Sequence, residues 1–109
     1  MKKLACLFLM AALACGGGES PFDLDVGTIR VENHSSDALT EVYISLCEQT
    51  ARGANRIADH VIGPGQSREF ELEPNCYDVR AVTITDEEVY FLDLTLMGGT
   101  VLILRIIDG

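Results

Sequence analysis

The chain has 109 residues, 48% of them hydrophobic, and its 17 acidic residues against eight lysines and arginines give a formal net charge of −9. This length accommodates one domain and excludes an enzyme with a separate cofactor-binding lobe. The acidic balance argues against nucleic acid or an anionic surface as a partner, because neither offers a positive field.

The chain begins with a short basic and apolar segment. Lys2 and Lys3 follow the initial Met, and residues 4–14 (LACLFLMAALA) are apolar without interruption. A transmembrane helix needs about 20 apolar residues, so this run is too short to span a bilayer. A basic start, a short apolar core and small residues at its end are typical of a secretory signal peptide. We therefore predict that residues 1–14 form a cleaved signal helix and that the protein is exported.

The end of this segment carries a motif for lipid attachment. Residues 11–15 (AALAC) resemble a bacterial lipobox, the signal found in lipoproteins. The resemblance implies that diacylglycerol is transferred to the Cys15 thiol, that the chain is cleaved before Cys15, and that the new amino group is acylated. The residue after the cysteine is Gly16 and not Asp, which by the same resemblance implies sorting to the outer membrane. Ordinary signal-peptidase cleavage after the A-x-A sequence at 12–14 is the alternative.

Removal of residues 1–14 changes both the charge and the cysteine content. Six arginines and no lysine then face all 17 acids, for a net charge of −11. Residues 15–21 become a Gly-rich tether behind the lipid, and residues 22–109 become the folded domain. Cys47 and Cys76 are the two cysteines left for a disulfide in an oxidising compartment.

The remainder of the chain shows apolar residues at every second position, with turn-forming residues between the runs. This pattern predicts an all-β fold, a single antiparallel β-sandwich of about seven short strands. The predicted strands span residues 28–32, 40–47, 57–62, 66–72, 76–85, 89–96 and 100–107.

Part of this pattern is similar to a known class of exported domain. Residues 62–67 (IGPGQS) and 70–81 (FELEPNCYDVRA) resemble the I-x-P-G-x-S and F-x-L-x-P-G-x-Y-x-V-x-A runs of PEGA-like and carboxypeptidase regulatory-like domains. Asn75 stands where that pattern has glycine, and Asn tolerates the left-handed backbone region. The resemblance implies an Ig-like or prealbumin-like sandwich of seven strands that binds or spaces and has no active site.

The parity of the strands predicts a disulfide. If successive strands alternate in direction, Cys47 at the end of the second strand and Cys76 at the start of the fifth lie at the same end of the sandwich. Period 2 then directs both side chains to the same face, so we predict a bridge between them. The argument requires residues 57–62 to be a strand, because losing one strand reverses the parity.

The same parity separates two ends of the domain. It places the tether and residues 48–60, with Arg52 and Arg56, at the cysteine end toward the membrane. The loops at the other end are predicted to face a protein partner in the envelope, and they carry His34, Asp37, Asp86, Glu87 and Glu88.

Two alternative functions follow from the residues of these loops. A small-ligand or Ca²⁺-dependent binder would use the carboxylates of Asp37, Asp86, Glu87 and Glu88, because hard cations bind clustered oxygens. A small periplasmic hydrolase would use His34 or His60, but the chain lacks G-x-S-x-G and Gly-rich phosphate-loop motifs. We therefore expect a membrane-anchored, non-catalytic binding or assembly module that uses no metal or cofactor.

Residues 101–107 (VLILRII) are apolar on both faces of the last predicted strand. Val89 and Phe91 are expected on the outward face of its hairpin partner. Either the segment at 22–26 covers these outward residues, or they remain exposed as a binding patch or as an edge awaiting another strand. We expect the covered arrangement, because an exposed apolar run promotes aggregation.

Overall fold

A computed structural model of the chain describes residues 3–11, 25–49 and 53–108; within 3–11, side chains are described for Ala5 and Leu7. These ranges hold seven strands, β1 Lys3–Ala11, β2 Gly27–His34, β3 Leu39–Leu46, β4 Ser67–Leu72, β5 Asn75–Thr83, β6 Glu88–Leu96 and β7 Thr100–Asp108. None of the described residues belongs to a helix with the length and apolarity needed to cross a membrane.

The strands form two sheets that enclose one core. One sheet has the order β1-β7-β2-β4 and the other the order β3-β5-β6. Neighbouring strands are antiparallel except β2 and β7, which are parallel. The prediction of an all-β fold with two layers is confirmed, and the core lies between the layers because alternate side chains of each strand point inward.

The segment at 57–62 is not a strand, which corrects the sequence prediction. Residues 56–59 form a turn, and an isolated bridge between Ile62 and Leu39 pairs the segment with β3. Ile57 and Ile62 are nevertheless buried in the core at 1% and 2% exposure. The sequence at 48–60 lacks the alternation of a strand, and in the structure the backbone turns at 56–59 while these two side chains are buried.

The side chain of Asn55 takes the place of the missing strand beside β3. Its Oδ1 accepts hydrogen bonds from the backbone N–H groups of Val42 at 2.9 Å and Ile57 at 3.1 Å. Its Nδ2 donates to the carbonyl oxygen of Thr40 at 3.1 Å. An amide side chain carries the same donor and acceptor groups as a peptide bond, so Asn55 pairs with the edge of β3 as a neighbouring strand would.

The predicted disulfide is present, although part of the reasoning for it was wrong. Cys47 and Cys76 are bonded to each other with their Cα atoms 5.4 Å apart. The backbone N–H of Cys47 also donates to the carbonyl oxygen of Cys76, continuing the ladder that pairs Leu46 with Tyr77. The bridge is present without a strand at 57–62 because residues 55–62 still run from beside Val42 back to Leu39 at the start of β3, so that the next strand begins at the distal end. The direction in which the later strands run therefore depends on the path of the chain and does not require that path to be a hydrogen-bonded strand.

A bulge in β6 reverses the predicted orientation of its first half. Val89 and Phe91, expected outward, are buried at 4% and 5% exposure. The register against β5 shifts between Tyr77 and Val79. Asp93, opposite this shift, has φ +56°, and its N–H donates to Asp78 Oδ1 at 2.8 Å. Because of the extra residue, the side chains that point inward are at odd positions before the bulge and at even positions after it, as expected for a β-bulge.

The expected hairpin between β6 and β7 is also wrong, because residues 97–99 cross from one sheet to the other. β7 pairs instead with β2 on one side and with β1 on the other. Nine registered pairs join β1 to β7, from Lys3 opposite Asp108 to Ala11 opposite Thr100. The residues predicted to begin a signal helix are thus extended in this fold, where the edge of β7 supplies their backbone partners.

Candidate functional site

The end of the sandwich opposite the disulfide, here called the distal end, is organised by the buried side chain of Asn33. Its Nδ2 donates to the carbonyl oxygens of Asp37 at 2.8 Å and Ile62 at 3.0 Å. Its Oδ1 accepts from the backbone N–H of Ser35 at 3.0 Å and from the Ser35 hydroxyl at 2.7 Å. Asn33 is fully buried, and pairing both ends of its amide is what makes that burial tolerable. This one side chain therefore fixes two distal loops to each other.

The residues predicted to face a partner lie at or beside the distal end, but they are divided between different faces. His34 is exposed on the outer face of the four-stranded sheet, with its Nε2 2.9 Å from Glu32 Oε1. Glu88 is exposed on the outer face of the three-stranded sheet, where its carboxylate pairs with Arg80. The two residues thus belong to different surfaces.

The other three predicted residues lie in the loops themselves. Asp37 is half-buried, and its carbonyl oxygen accepts from Asn33. Asp86 is exposed at the tip of a turn with φ +64°, a left-handed conformation that Asp adopts more readily than most residues. The backbone of Glu87 closes this turn, with its carbonyl accepting from Thr83 N at 2.9 Å and its N–H donating to Thr83 Oγ1 at 3.1 Å. These three residues have a structural role as turn formers.

The predicted calcium ligands do not converge in the described ranges. Within residues 3–11, 25–49 and 53–108, the group of three potential ligand atoms that lie within 4.8 Å of one another comes from Cys47, Cys76 and Asp93. The two sulfur atoms of that group are bonded to each other. A disulfide sulfur is not the thiolate that metals bind, so this group has no thiolate ligand to offer.

The outer face of the three-stranded sheet carries a row of aromatic and arginine side chains, here called the Tyr–Arg row. It consists of Tyr43 on β3, Arg80 on β5 and Tyr90 on β6, which are registered opposite one another across the three strands. The Arg80 guanidinium lies over the Tyr43 ring, 5.5 Å from its centroid. Cross-strand neighbours of this kind stabilise a sheet and present a continuous surface at the same time.

Acidic side chains hold the Tyr–Arg row in place. Arg80 donates a hydrogen bond to Glu88 Oε1, and the Tyr90 hydroxyl donates to Glu88 Oε2 at 2.7 Å. The hydrogen bond to Glu88 raises the pKa of Arg80 above its usual value. Tyr43 donates in the same way to the carboxylate of Glu41. Tyr90 is 49% exposed while the Arg80 side chain is 16% exposed, so the row is held by these carboxylates and reaches solvent mainly through Tyr90.

Sequence reasoning missed this row because of the β6 bulge. Strict alternation through β6 assigns Tyr90 to the same face as Leu94 and Leu96, which are in the core. The bulge at Asp93 reverses that assignment and turns Tyr90 outward, with 61% exposed Leu92 beside it. A single Asp between two leucines in an apolar strand was the available signal, since Asp is disfavoured in strands and tolerates a left-handed conformation.

A shallow pocket of about 460 Å³ lies beside the loop at 59–68. Asp59, His60 and Ser67 are all part of its lining, which brings together the residue types of a hydrolase. Asp59 and Ser67 are instead hydrogen-bonded to arginines. The Asp59 carboxylate accepts from Arg68, and Ser67 Oγ accepts from Arg30 at 3.4 Å. The hydrogen bond from Arg68 lowers the pKa of Asp59.

The ring of His60 takes no part in either of these pairs. Its Nδ1 lies 3.0 Å from the carbonyl oxygen of Asp59, its own neighbour in the chain. His34, the other histidine considered for a hydrolase, lies against Glu32 on the four-stranded sheet. A general base needs to reach the nucleophile whose proton it takes. The contacts of the described residues instead tie each of these groups to a structural partner.

β2, the first strand after the predicted tether, begins at the disulfide end. Gly99 N donates to the carbonyl oxygen of Val26 at 2.9 Å. A Cβ atom on Gly27 would lie 2.6 Å from Leu96 Cγ, so β2 begins against the end of β6. Cys15, the tether at 15–21 and Arg52 lie outside the described residues.

Only part of the segment at 48–60, which was predicted to lie at the disulfide end and face the membrane, can lie there. The backbone N–H of Arg56 donates to the carbonyl oxygen of Val42, part of the way along β3. Residues 57–62 continue from there to the start of β3, at the distal end. Within the described ranges, the disulfide end of this segment is therefore confined to the residues that precede Arg56.

Comparison with known proteins identifies no matching family model and no matching curated protein.

Proposed function

We propose that this chain is a lipid-anchored cell-envelope protein whose sandwich acts as a non-catalytic protein-binding or assembly module. The observation that carries the proposal is the Tyr–Arg row. Tyrosine and arginine are among the residues that most often dominate the free energy of protein–protein binding. They are presented here on an open sheet face, which suits the surface of another protein better than a small ligand.

The order within the row supports a binding role. A side chain that is already held in one conformation loses little entropy when a partner covers it. Glu88 holds both Arg80 and Tyr90, while 61% exposed Leu92 adds apolar area beside them. The disulfide is consistent with export, because such bonds persist in oxidising compartments.

The anchoring part of the proposal is tested by labelling cells with a clickable fatty acid. The full chain should become labelled, and the Cys15→Ser variant should not. Cys6→Ser is the matched control and should leave labelling unchanged, since Cys6 lies within the segment proposed to be removed. Labelling that survives Cys15→Ser would contradict the proposed anchor.

The binding part is tested with a photo-crosslinking amino acid at position 90 in cells that produce the full chain. We expect one discrete adduct, reduced at least about tenfold by Arg80→Ala, because a central arginine often contributes 2 kcal/mol or more. The matched controls are a crosslinker at Glu69 and the variant Arg30→Ala, both on the opposite outer face. Equal adducts at positions 69 and 90, or no effect of Arg80→Ala, would contradict the proposed surface.

A calorimetric Ca²⁺ titration of the same protein distinguishes the proposed module from the alternative, a calcium-dependent binder. The proposed module should give no heat of binding. Heat that disappears in an Asp86→Asn/Glu87→Gln double variant would favour the distal carboxylates instead.

A further inference from the structure

β7 is an inner strand of its sheet because β1 covers one of its edges. In the order β1-β7-β2-β4, removal of β1 leaves β7 as the edge strand. All nine residue pairs of that ladder lie within residues 3–11 and 100–108. Every second residue of β7 directs its N–H and C=O groups toward β1, so these groups lose their partners together with β1.

The processing that we propose for the N-terminus removes β1 completely. Cleavage before Cys15 releases residues 1–14 and leaves β7 with a strongly apolar edge. Leu102, Leu104 and Ile106 face the core at 3% exposure or less, and Ile103 on the other face is 7% exposed. A long apolar edge with unpaired backbone groups is a template for another strand.

The fit of β1 shows what kind of strand this edge accepts. The occupant is extended, antiparallel to β7 and nine residues long. β1 also contacts β6, the edge of the other sheet on the same side, so the occupant lies between two open edges. Leu7 is registered opposite the buried Leu104 and is 54% exposed, so this position of the occupant remains in contact with solvent.

We propose that, in the mature protein, the edge of β7 binds a strand donated by a different protein, antiparallel to β7, largely apolar and basic at its first residue. This inference deepens the proposed binding function and rests on its N-terminal processing. The donated strand completes the four-stranded sheet through backbone hydrogen bonds, the mode of recognition known as β-strand addition.

Charge favours a different protein over a second copy of this chain. The register places Lys3 opposite Asp108, at the end of β7 that lies beside the distal acids. Ser36 N–H and Ser36 Oγ donate to the Asp108 carboxylate, which fixes this acid at the distal end. A second copy would bring another −11 charges and no lysine, because the sequence after residue 14 contains none. A basic first residue on the donated strand instead complements the acid that it meets.

The experiment uses the protein processed by the host from its full-length gene and purified from membranes in mild detergent. Its intact mass shows whether it begins at Cys15. The probe is a synthetic peptide of residues 3–11 with Cys6→Ser and two added lysines at its start. Hydrogen exchange of the amides at 101–107 is followed with and without the peptide, and β4 provides the internal reference because its edge is not involved.

The matched control peptide carries Leu7→Pro and Phe8→Pro. Adjacent residues of a strand direct their N–H groups to opposite sides, so one of the two prolines must remove a hydrogen bond to β7. We expect the first peptide to slow exchange at 101–107 at least about tenfold and the control to bind about 100-fold more weakly. Exchange in β4 should not change.

Three results would overturn the inference and are distinguishable by mass and size. A mass that begins at Met1 means that β1 is retained, and the proposed processing fails together with the inference. A processed protein in which the amides at 101–107 that face β1 are already protected means that its own chain or, if its size doubles, a second copy covers the edge. A processed protein that binds both peptides equally has no strand-specific site, and the inference fails alone.

Discussion

The two long sides of this sandwich are closed in different ways. Beside β3, the chain closes the edge with its own later residues, through the amide of Asn55 and the bridge between Ile62 and Leu39. Beside β7, the edge is closed by β1, the segment whose sequence has the features of a signal peptide. The first closure is made by residues 55–62, while the second depends on residues that the proposed processing would remove.

This difference shows how one fold can protect one edge and leave another available. A side chain that imitates a strand satisfies the backbone of β3 without offering a new edge in turn. The disulfide between Cys47 and Cys76 also links the end of β3 covalently to its neighbour β5. No described contact of comparable permanence secures β7 on its outer side, so the two sides should respond differently to substitution.

The largest effect is expected from removing the disulfide. In the chain-entropy model, a bridge that closes a loop of this length, with a sequence separation of 29, contributes about 3.5 kcal/mol. Cys47→Ser/Cys76→Ser should lower the free energy of unfolding by about that amount, measured by urea denaturation. Cys6→Ser is the control and should have no effect on the processed protein. A double variant as stable as the parent would contradict the structural role of the bridge.

A smaller loss is expected from Asn55→Ala. This substitution leaves the backbone groups of Thr40 and Val42 without their partner and should cost about 2 kcal/mol. It should also speed amide exchange in β3. Asn75→Ala is the matched control, because Asn75 is exposed and its side chain bonds only locally, to Cys76 N. Equal losses in the two variants would mean that Asn55 does not close the edge.

A pH-dependent effect is expected at Glu32, next to β7 on the outer face of its sheet. Hydrogen bonding to His34 and Arg105 lowers the pKa of Glu32, against the opposing effect of burial. Because the folded-state pKa is the lower one, this stabilisation is present above the unfolded-state pKa and is lost as the pH falls through the folded-state pKa.

Glu32→Gln should therefore lower the free energy of unfolding by about 1 kcal/mol at pH 7 and leave it nearly unchanged at low pH. Chemical denaturation at pH 7 and at about pH 3 measures both values. Glu69→Gln is the control, since Glu69 is exposed and lies 3.9 Å from Arg30. A loss for Glu32→Gln that is the same at both pH values would contradict this account.

The smallest effect is expected at the bulge of β6. Asp93 has φ +56°, a conformation that costs glycine less than any residue with a Cβ. Asp93→Gly should be neutral or stabilising, and Asp93→Ala should be less stable than Asp93→Gly by about 1 kcal/mol in thermal or urea unfolding. The reverse order would mean that the left-handed residue does not determine the bulge.

The sequence predicted the layers of the fold better than its pairings. Period 2 located β2–β7 because alternate burial is a local property of each strand. The parallel pairing of β2 with β7 and the crossing at 97–99 depend on contacts between distant residues, which no local pattern contains. The strand expected at 57–62 failed for a related reason, since Ile57 and Ile62 are buried without a ladder between them.

The candidate site was predicted less well than the fold. The position of the distal loops at one end of the sandwich was predicted correctly, because it follows from strand direction alone. The Tyr–Arg row was missed, because one bulged residue, Asp93, reverses the faces of β6 and turns Tyr90 outward. The sequence allows the last strand to be covered by residues 22–26, to remain an exposed patch, or to be an edge that accepts another strand. Its pairing with β1 fits the last of these, while residues 22–24 lie outside the described ranges.

Hydrogen exchange of the two edges, in protein whose mass shows that it begins at Cys15 as proposed, tests the central claim most directly. The amides of β3 and β7 are compared by mass spectrometry in the chain isolated from membranes, without added peptide or partner. We predict that the β3 amides bonded by Asn55 and its neighbours are protected, while the β7 amides that face β1 exchange much faster. Equal protection of both edges in a processed, monomeric protein would contradict the claim that β1 is the removable closure of this fold.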